Sequence, residues 1–314
     1  MKSIGGYFSF ELNEQAEYHQ DAIRLNTGRN AFEFILLANS YKKIYIPYFT
    51  CDSLLEPLNK HQIKFDFYSI NERFEPLFDF SNVQSDEAFL LINYFGIKDT
   101  YIRRVAELCK NLIIDATQSF FFNPIKNIEI FYSPRKFFGV PDGAYLYCKK
   151  KLDMTFEKDI SFKRCSHLLK RLEFDAKSGF EDFKNNEAQL KNQSIKEMSN
   201  LTQSILKTIN YDISSKNRKN NFKFLDKYLR QTNKLNLNLL SNEVPMVYPY
   251  WNNDKNMRKK LVENKIFTAI YWPSILDRCA ENSLEYLMTK EIIYLPIDQR
   301  YTKVHLKRMI DHIL

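Results

Sequence analysis

The chain has 314 residues and a mass of 37.5 kDa, which suits one large domain and a smaller one. Hydrophobic residues at 44% and charged residues at 27% exclude a disordered chain, and no run approaches the roughly 20 apolar residues of a membrane helix. The 46 basic and 38 acidic residues leave a net charge of +8, but the lysines are dispersed and no nucleic-acid motif accompanies them, so neither nucleic acid nor a membrane is an expected partner.

The N-terminal residues 1–6 lack an apolar leader core, and the five cysteines form no CxxC pair. A cytoplasmic protein with reduced thiols is expected. The five histidines are unclustered, which argues against a metal site.

Short apolar runs alternate with helical stretches from the start. A helix is expected over 32–38, a strand over 43–47, a helix over 52–60 and a strand over 63–70. Residues 88–93 and 112–115 are continuous apolar runs, the mark of strands buried on both faces of a parallel sheet, with a helix over 98–110 between them. Strands follow at 128–132 and 144–148. The order predicts an α/β domain with a mainly parallel central sheet and helices on both faces. Residues 152–235 are polar and mostly helical, and Ile195, Met198, Leu201, Ile205, Leu206 and Ile209 are spaced for one buried helix face. The last third predicts strands at 244–250, 266–272 and 292–296, and helices at 254–264, 283–288 and 302–314, a smaller α+β domain. The division is placed at 1–212 and 213–314, the first including helices that could form a dimer.

Ligands of open α/β sheets bind beyond the carboxyl ends of the strands. Asp115 closes an apolar strand, where a carboxylate needs a partner. Alone it is better explained as a helix N-cap. Lys136 lies in the loop Ser133-Pro134-Arg135-Lys136-Phe137-Phe138, and desolvation by those aromatics would lower its pKa for Schiff-base chemistry. Alone it reads as a solvated loop lysine. Thr27-Gly28-Arg29 opens a helix whose free N–H groups could hold phosphate. Only seven glycines occur, against roughly 22 at average usage; Gly28 opens that helix, Gly139 and Gly143 continue the Lys136 loop, and Gly96 lies just after the apolar run 88–93.

In order and spacing these segments resemble the fold-type-I pyridoxal phosphate (PLP) enzymes, and most closely the DegT/DnrJ/EryC1/StrS sugar aminotransferases. Asp115-Ala116-Thr117-Gln118 resembles that family's Asp-x-x-Gln block. Ser133-Pro134-Arg135-Lys136 with Asp142-Gly143-Ala144 resembles its lysine loop. Segments 45–50, 93–96 and 269–273 resemble its strand-Pro-x-x-Thr, strand-end and C-terminal substrate-facing segments. The matches run from about residue 25 to residue 301, in a chain shorter than typical members.

The resemblance implies the PLP-dependent transferase fold of type I and an aminotransferase carrying pyridoxal 5'-phosphate as a Schiff base on Lys136. It implies Asp115 at the ring nitrogen, Gln118 near the ring oxygen, and Thr27, Gly28, Arg29 and Ser133 at the phosphate. Cys51 stands where the family places a ring-stacking aromatic residue, and Tyr48, Phe49 or Tyr94 could substitute. Ser199 falls where a family helix begins. Candidate substrate contacts are Tyr94, Tyr271, Trp272 and Arg300; core packing for the aromatic residues and a structural ion pair for Arg300 are the competing readings. The donor would be glutamate, the acceptor a keto-sugar, nucleotide-linked in most of the family, and the protein a homodimer. The alternative is an inactive PLP-fold binding or regulatory protein, motivated by Cys51.

Overall fold

The two uninterrupted apolar runs of the first half become the centre of a sheet. The computed structural model describes residues 4–314; residues 1–3, the start of the stretch read for a leader, lie outside the described residues. In chain order the elements are β1 (Ile23–Leu25), α1 (Gly28–Asn39), β2 (Lys43–Pro47), α2 (Leu55–Lys60), β3 (Lys64–Tyr68), β4 (Glu87–Ile92), α3 (Asp99–Leu108), β5 (Leu112–Asp115), β6 (Glu129–Tyr132), β7 (Ala144–Tyr147), α4 (Ser166–Glu173), α5 (Phe180–Gln189), α6 (Asn200–Leu206), α7 (Tyr211–Leu229), β8 (Val247–Tyr250), α8 (Met257–Glu263), α9 (Ile275–Arg278), α10 (Leu284–Glu291), β9 (Ile293–Pro296) and α11 (Lys303–Ile313).

Seven strands form one sheet in the order β1-β7-β6-β5-β4-β2-β3, and β8 pairs with β9 in a second. Strands β3, β2, β4, β5 and β6 are parallel, so their carboxyl ends share one edge. β7 runs antiparallel to both β6 and β1. β5 is buried along its whole length and β4 from Ala88 to Ile92, as strands covered on both faces must be. Helix α1 starts because the Thr27 hydroxyl accepts the Asn30 N–H, and it ends where Ser40 turns left-handed and donates to the Leu36 carbonyl. Its consecutive buried residues Asn30 to Leu36 place it deep against the core. No described helix is long and apolar enough to cross a membrane.

Three features differ from the reading of the sequence. β1 was not expected; three residues are too few to show a period, yet they pair with β7 along their full length. The single helix through 195–209 does not form. Residues 195–198 are extended, with Glu197 bridged to Leu25 and Lys158, and α6 begins only after Ser199, whose hydroxyl accepts from Thr202. The strand at 266–272 is also absent. That segment has one bridge, Ala269 to Tyr294, and its ends carry positive φ at Lys265 and Trp272. Phe267 and Ile270 face solvent, so the alternation belongs to an extended segment without a partner strand.

His19 is a buried imidazole packed on the Tyr132 ring, 4.1 Å between centroids. Its Nε2 donates to the Phe120 carbonyl at 2.7 Å, so its Nδ1 accepts from the Tyr147 hydroxyl at 3.2 Å. Burial pushes its pKa down to about 4. The unfolded chain therefore binds a proton that the folded chain refuses between about pH 6.5 and 4. Stability is complete above that window and falls as the pH drops through it, by up to about 3 kcal/mol. Melting curves at pH 7.5 and 4.5 should show a smaller loss for His19→Gln than for the wild type. Equal losses would assign the titration to another group.

Candidate active site

Asp115, Thr117, Lys136, Ser133 and the start of α1 converge at the carboxyl edge of β5 and β6. Asp115 is 5% exposed, and its Oδ1 accepts the Thr117 N–H at 2.8 Å. No helix follows, so the N-cap reading fails: the carboxylate closes a turn. Its Oδ2 takes no hydrogen bond among the described residues. Burial raises the Asp115 pKa, and the Lys136 charge and the Thr117 contacts oppose the rise. A cation at the free face of this carboxylate would stabilise the ionised form further.

Lys136 donates from Nζ to the Thr117 hydroxyl at 2.9 Å. It lies at the end of a single 3-10 turn, Pro134–Lys136, directly after β6. Desolvation by Phe137 and Phe138 does not occur. Lys136 is exposed, while both phenylalanines are buried against Phe120, whose ring centroid lies 5.9 Å and 5.0 Å from theirs. The rings turn inward and the amine turns outward.

At the phosphate end, the Thr27 hydroxyl is engaged within α1, donating to Asn30 Oδ1 at 2.6 Å. The Arg29 side chain is held by Glu56 and the Leu190 carbonyl, both at 2.9 Å. What the turn offers is backbone: the N–H groups of Gly28 and Arg29 open the helix and have no acceptor among the described residues. A Cβ at Gly28 would come within 3.3 Å of Thr117 Cγ2 and 4.0 Å of Ser133 Cβ, so the turn, Thr117 and Ser133 line one narrow space. The Ser133 side chain caps nothing.

Gln118 is buried and its Oε1 accepts the Phe95 N–H at 2.9 Å. It therefore ties the β5 loop to the β4 loop. Cys51 follows β2 at the same sheet edge and accepts the Ser53 hydroxyl at 3.0 Å. The candidate replacements for a stacking ring are engaged elsewhere. Tyr48 stacks on Phe67 at 4.7 Å, and Phe49 and Tyr94 are fully buried.

Tyr94 and Trp272, two of the candidate substrate contacts, are buried and engaged with Phe49. The Tyr94 hydroxyl donates to the Phe49 carbonyl at 2.8 Å, and the Trp272 indole packs edge-on to Phe49 at 4.8 Å. Arg300 is exposed and clamps Asp298 with two bonds of 2.7 and 2.8 Å, the structural ion pair. Tyr271 is partly buried between Phe95 and Tyr294. Cavities of about 570 and 320 Å3 border neither Asp115, which is buried at the sheet edge, nor Lys136, which is exposed. Among the described residues no group of three His, Cys, Asp or Glu side chains could hold a metal ion.

Sequence reasoning missed Thr117, the hub of the site, although it lies inside the Asp115 to Gln118 block. It also missed Arg218 and Gln299, whose side chains both bond the Phe137 carbonyl. Nothing in the sequence marks either.

This arrangement defines a fold-type-I transferase architecture, and comparison with solved structures bears that out. A DegT DnrJ EryC1 StrS aminotransferase from Brucella abortus is 14% identical, with a TM-score of 0.62 over 93% of this chain and 84% of that one. The sugar aminotransferase CalS13 from Micromonospora echinospora is 12% identical, with a TM-score of 0.64 over 93% and 86%. NtdA from Bacillus subtilis, solved with bound cofactor PMP, is 13% identical, with a TM-score of 0.63 over 93% and 72%. No protein-family model and no curated protein matches the sequence. At these identities the likeness establishes the fold.

Proposed function

We propose that this protein is a PLP-dependent aminotransferase that moves an amino group from glutamate to a keto-sugar or related carbonyl compound. One observation carries the reading: Lys136, Thr117 and Asp115 are linked at the sheet edge, beside the open start of α1. The PMP-bound neighbour and the sugar aminotransferase among the similar structures support it.

The residues present fit the cofactor. The free Gly28 and Arg29 N–H groups and the Ser133 hydroxyl suit a phosphate dianion at a helix N-terminus. The unbonded Asp115 Oδ2 suits a protonated ring nitrogen, and the Lys136 amine an aldehyde. When bound, pyridoxal phosphate supplies an aldehyde that condenses with amines and a ring that withdraws electrons. Thr117 steadies Lys136 Nζ between uses, and Nζ, once freed, is the group at this sheet edge able to take and return a substrate proton. The buried Asp115 carboxyl, through its unbonded Oδ2, would hold a proton on the ring nitrogen and keep that nitrogen charged. In this reading residues 1–212 hold the cofactor and residues 213–314 face the substrate.

The protein would act as a cytoplasmic homodimer. Exposed Phe162, Leu172, Phe174 and Phe180, near α4 and α5, support a covered face, and the Arg135–Glu187 pair ties α5 to the lysine loop. A partner there would border that loop.

The test is a half-reaction. The PLP-loaded protein mixed with glutamate should lose its visible absorption and release about one 2-oxoglutarate per site. A band that no amino donor bleaches would favour the binding-protein reading, which the lack of a free ring near Cys51 already motivates.

A further inference from the structure

Arg218 lies on α7 and is 2% exposed, yet among the described residues no carboxylate lies within ion-pair distance of it. The nearest acid by influence, Asp298, is clamped by Arg300. Burying a charge without an opposite charge is costly, and an apolar side chain would stabilise such a position better. The guanidinium is instead used as a fork. Its Nε donates to Gln299 Oε1 at 3.0 Å, Nη1 to the Met246 carbonyl at 3.1 Å and Nη2 to the Phe137 carbonyl at 3.2 Å. Its flat face lies 4.5 Å from the Phe137 ring centre. Gln299 donates to the same Phe137 carbonyl at 3.0 Å.

These bonds close a circuit. Met246 N–H donates to the Phe95 carbonyl at 2.8 Å, and Phe95 N–H donates to Gln118 Oε1 at 2.9 Å. On the other side Lys136 Nζ reaches Thr117 at 2.9 Å. The loop after β5 and the loop after β6 are therefore joined twice: directly through Lys136, and the long way round through Phe95, Met246 and Arg218. Phe137 is the residue next to Lys136, so the carbonyl that Arg218 grips fixes where the lysine's own backbone sits.

Resting on the aminotransferase reading, we propose that Arg218 is a positioning residue for Lys136, acting through the Phe137 carbonyl and coupling the lysine turn to the C-terminal segments that carry Met246 and Gln299. Three separate acceptors are served by three nitrogens of one rigid guanidinium, which the single ammonium of a lysine cannot reproduce in the same geometry. A displacement of about 1 Å at a reacting amine is enough to cost roughly 100-fold in rate.

The experiment compares wild type, Arg218→Gln, Arg218→Lys and Asn221→Ala. Asn221 is the control: it lies one turn along α7 and bonds the carbonyls of Ile297, Asp298 and Tyr301, but nothing in the circuit. In the protein without cofactor, backbone amides of 135–138 should exchange at least about tenfold faster in both Arg218 variants than in wild type or Asn221→Ala. In the loaded protein, the pH midpoint of the visible band should move in both Arg218 variants and not in Asn221→Ala. The single-turnover rate with glutamate should fall about 100-fold with saturation little changed. Arg218→Lys keeps the charge and stem, so it covers the case in which the glutamine variant does not fold. Exchange, midpoint and rate that match Asn221→Ala, with only the melting temperature lowered, would reduce Arg218 to a strut and overturn the proposal. A wild type that takes up no pyridoxal phosphate would sink the aminotransferase reading alone, and the exchange comparison would still decide the role of Arg218.

Discussion

Lys136→Ala is expected to abolish amino transfer, by about 1000-fold or more, while the protein melts within about 2 °C of the wild type. The two halves of that expectation have separate physical grounds. Lys136 is exposed and makes a single side-chain bond, to Thr117, so its removal opens no cavity and takes one bond from the Thr117 hydroxyl and a nearby positive charge from Asp115. The chemistry has no substitute, because no other lysine lies in the 133–143 loop. Lys98, the lysine that follows the end of β4, is held by Glu75 at 2.6 Å. Steady-state rates with glutamate and a keto acceptor, alongside melting curves, check both halves. Retained turnover would remove Lys136 from the mechanism.

Gly96→Ala should be the most damaging small substitution in the chain, costing about 3 kcal/mol or more. Gly96 has a φ of +70°, a conformation that costs a side chain about 1 kcal/mol. A Cβ there would lie 2.5 Å from the Val244 carbonyl oxygen and 3.2 Å from that of Gln118. Both neighbours are backbone, so relief requires the β4 loop to leave the segment before β8 or the Asp115–Gln118 loop. The melting temperature should fall by roughly 5 °C or more. Gly139→Ala is the comparison: its Cβ would meet only Leu168 Cδ2 at 3.5 Å, an ordinary contact, and should change stability by less than about 0.5 kcal/mol. Equal behaviour of the two variants would contradict the packing described here.

The strands that build this edge were legible because they are buried on both faces. Apolar runs such as 88–92 and 112–114 admit few other readings, and they delivered β4 and β5 nearly to the residue. The ends of those strands were legible for the same reason, since a polar residue closing such a run must face something. Where the reading failed, local pattern and tertiary partner disagreed. The spacing of Ile195 and Met198 with Leu201 continues across the cap at Ser199, so periodicity alone could not place the start of α6. Residues 266–272 alternate as a strand does, but a strand needs a neighbour and only Ala269 has one. Phe137 and Phe138 flank Lys136 in sequence, yet a tight turn sends adjacent side chains to opposite sides, and the lysine stays in solvent. Arg218 was invisible because its role depends on three carbonyl and amide oxygens drawn from distant segments.

Under the proposed function Lys136 would carry the cofactor and the buried Asp115 would face its ring nitrogen. Borohydride reduction of the pyridoxal phosphate-loaded wild type, followed by peptide mass mapping, tests it most directly. One pyridoxyl modification per chain, located on Lys136, is expected. A modification spread over surface lysines, or none with the protein folded and cofactor in excess, would contradict it.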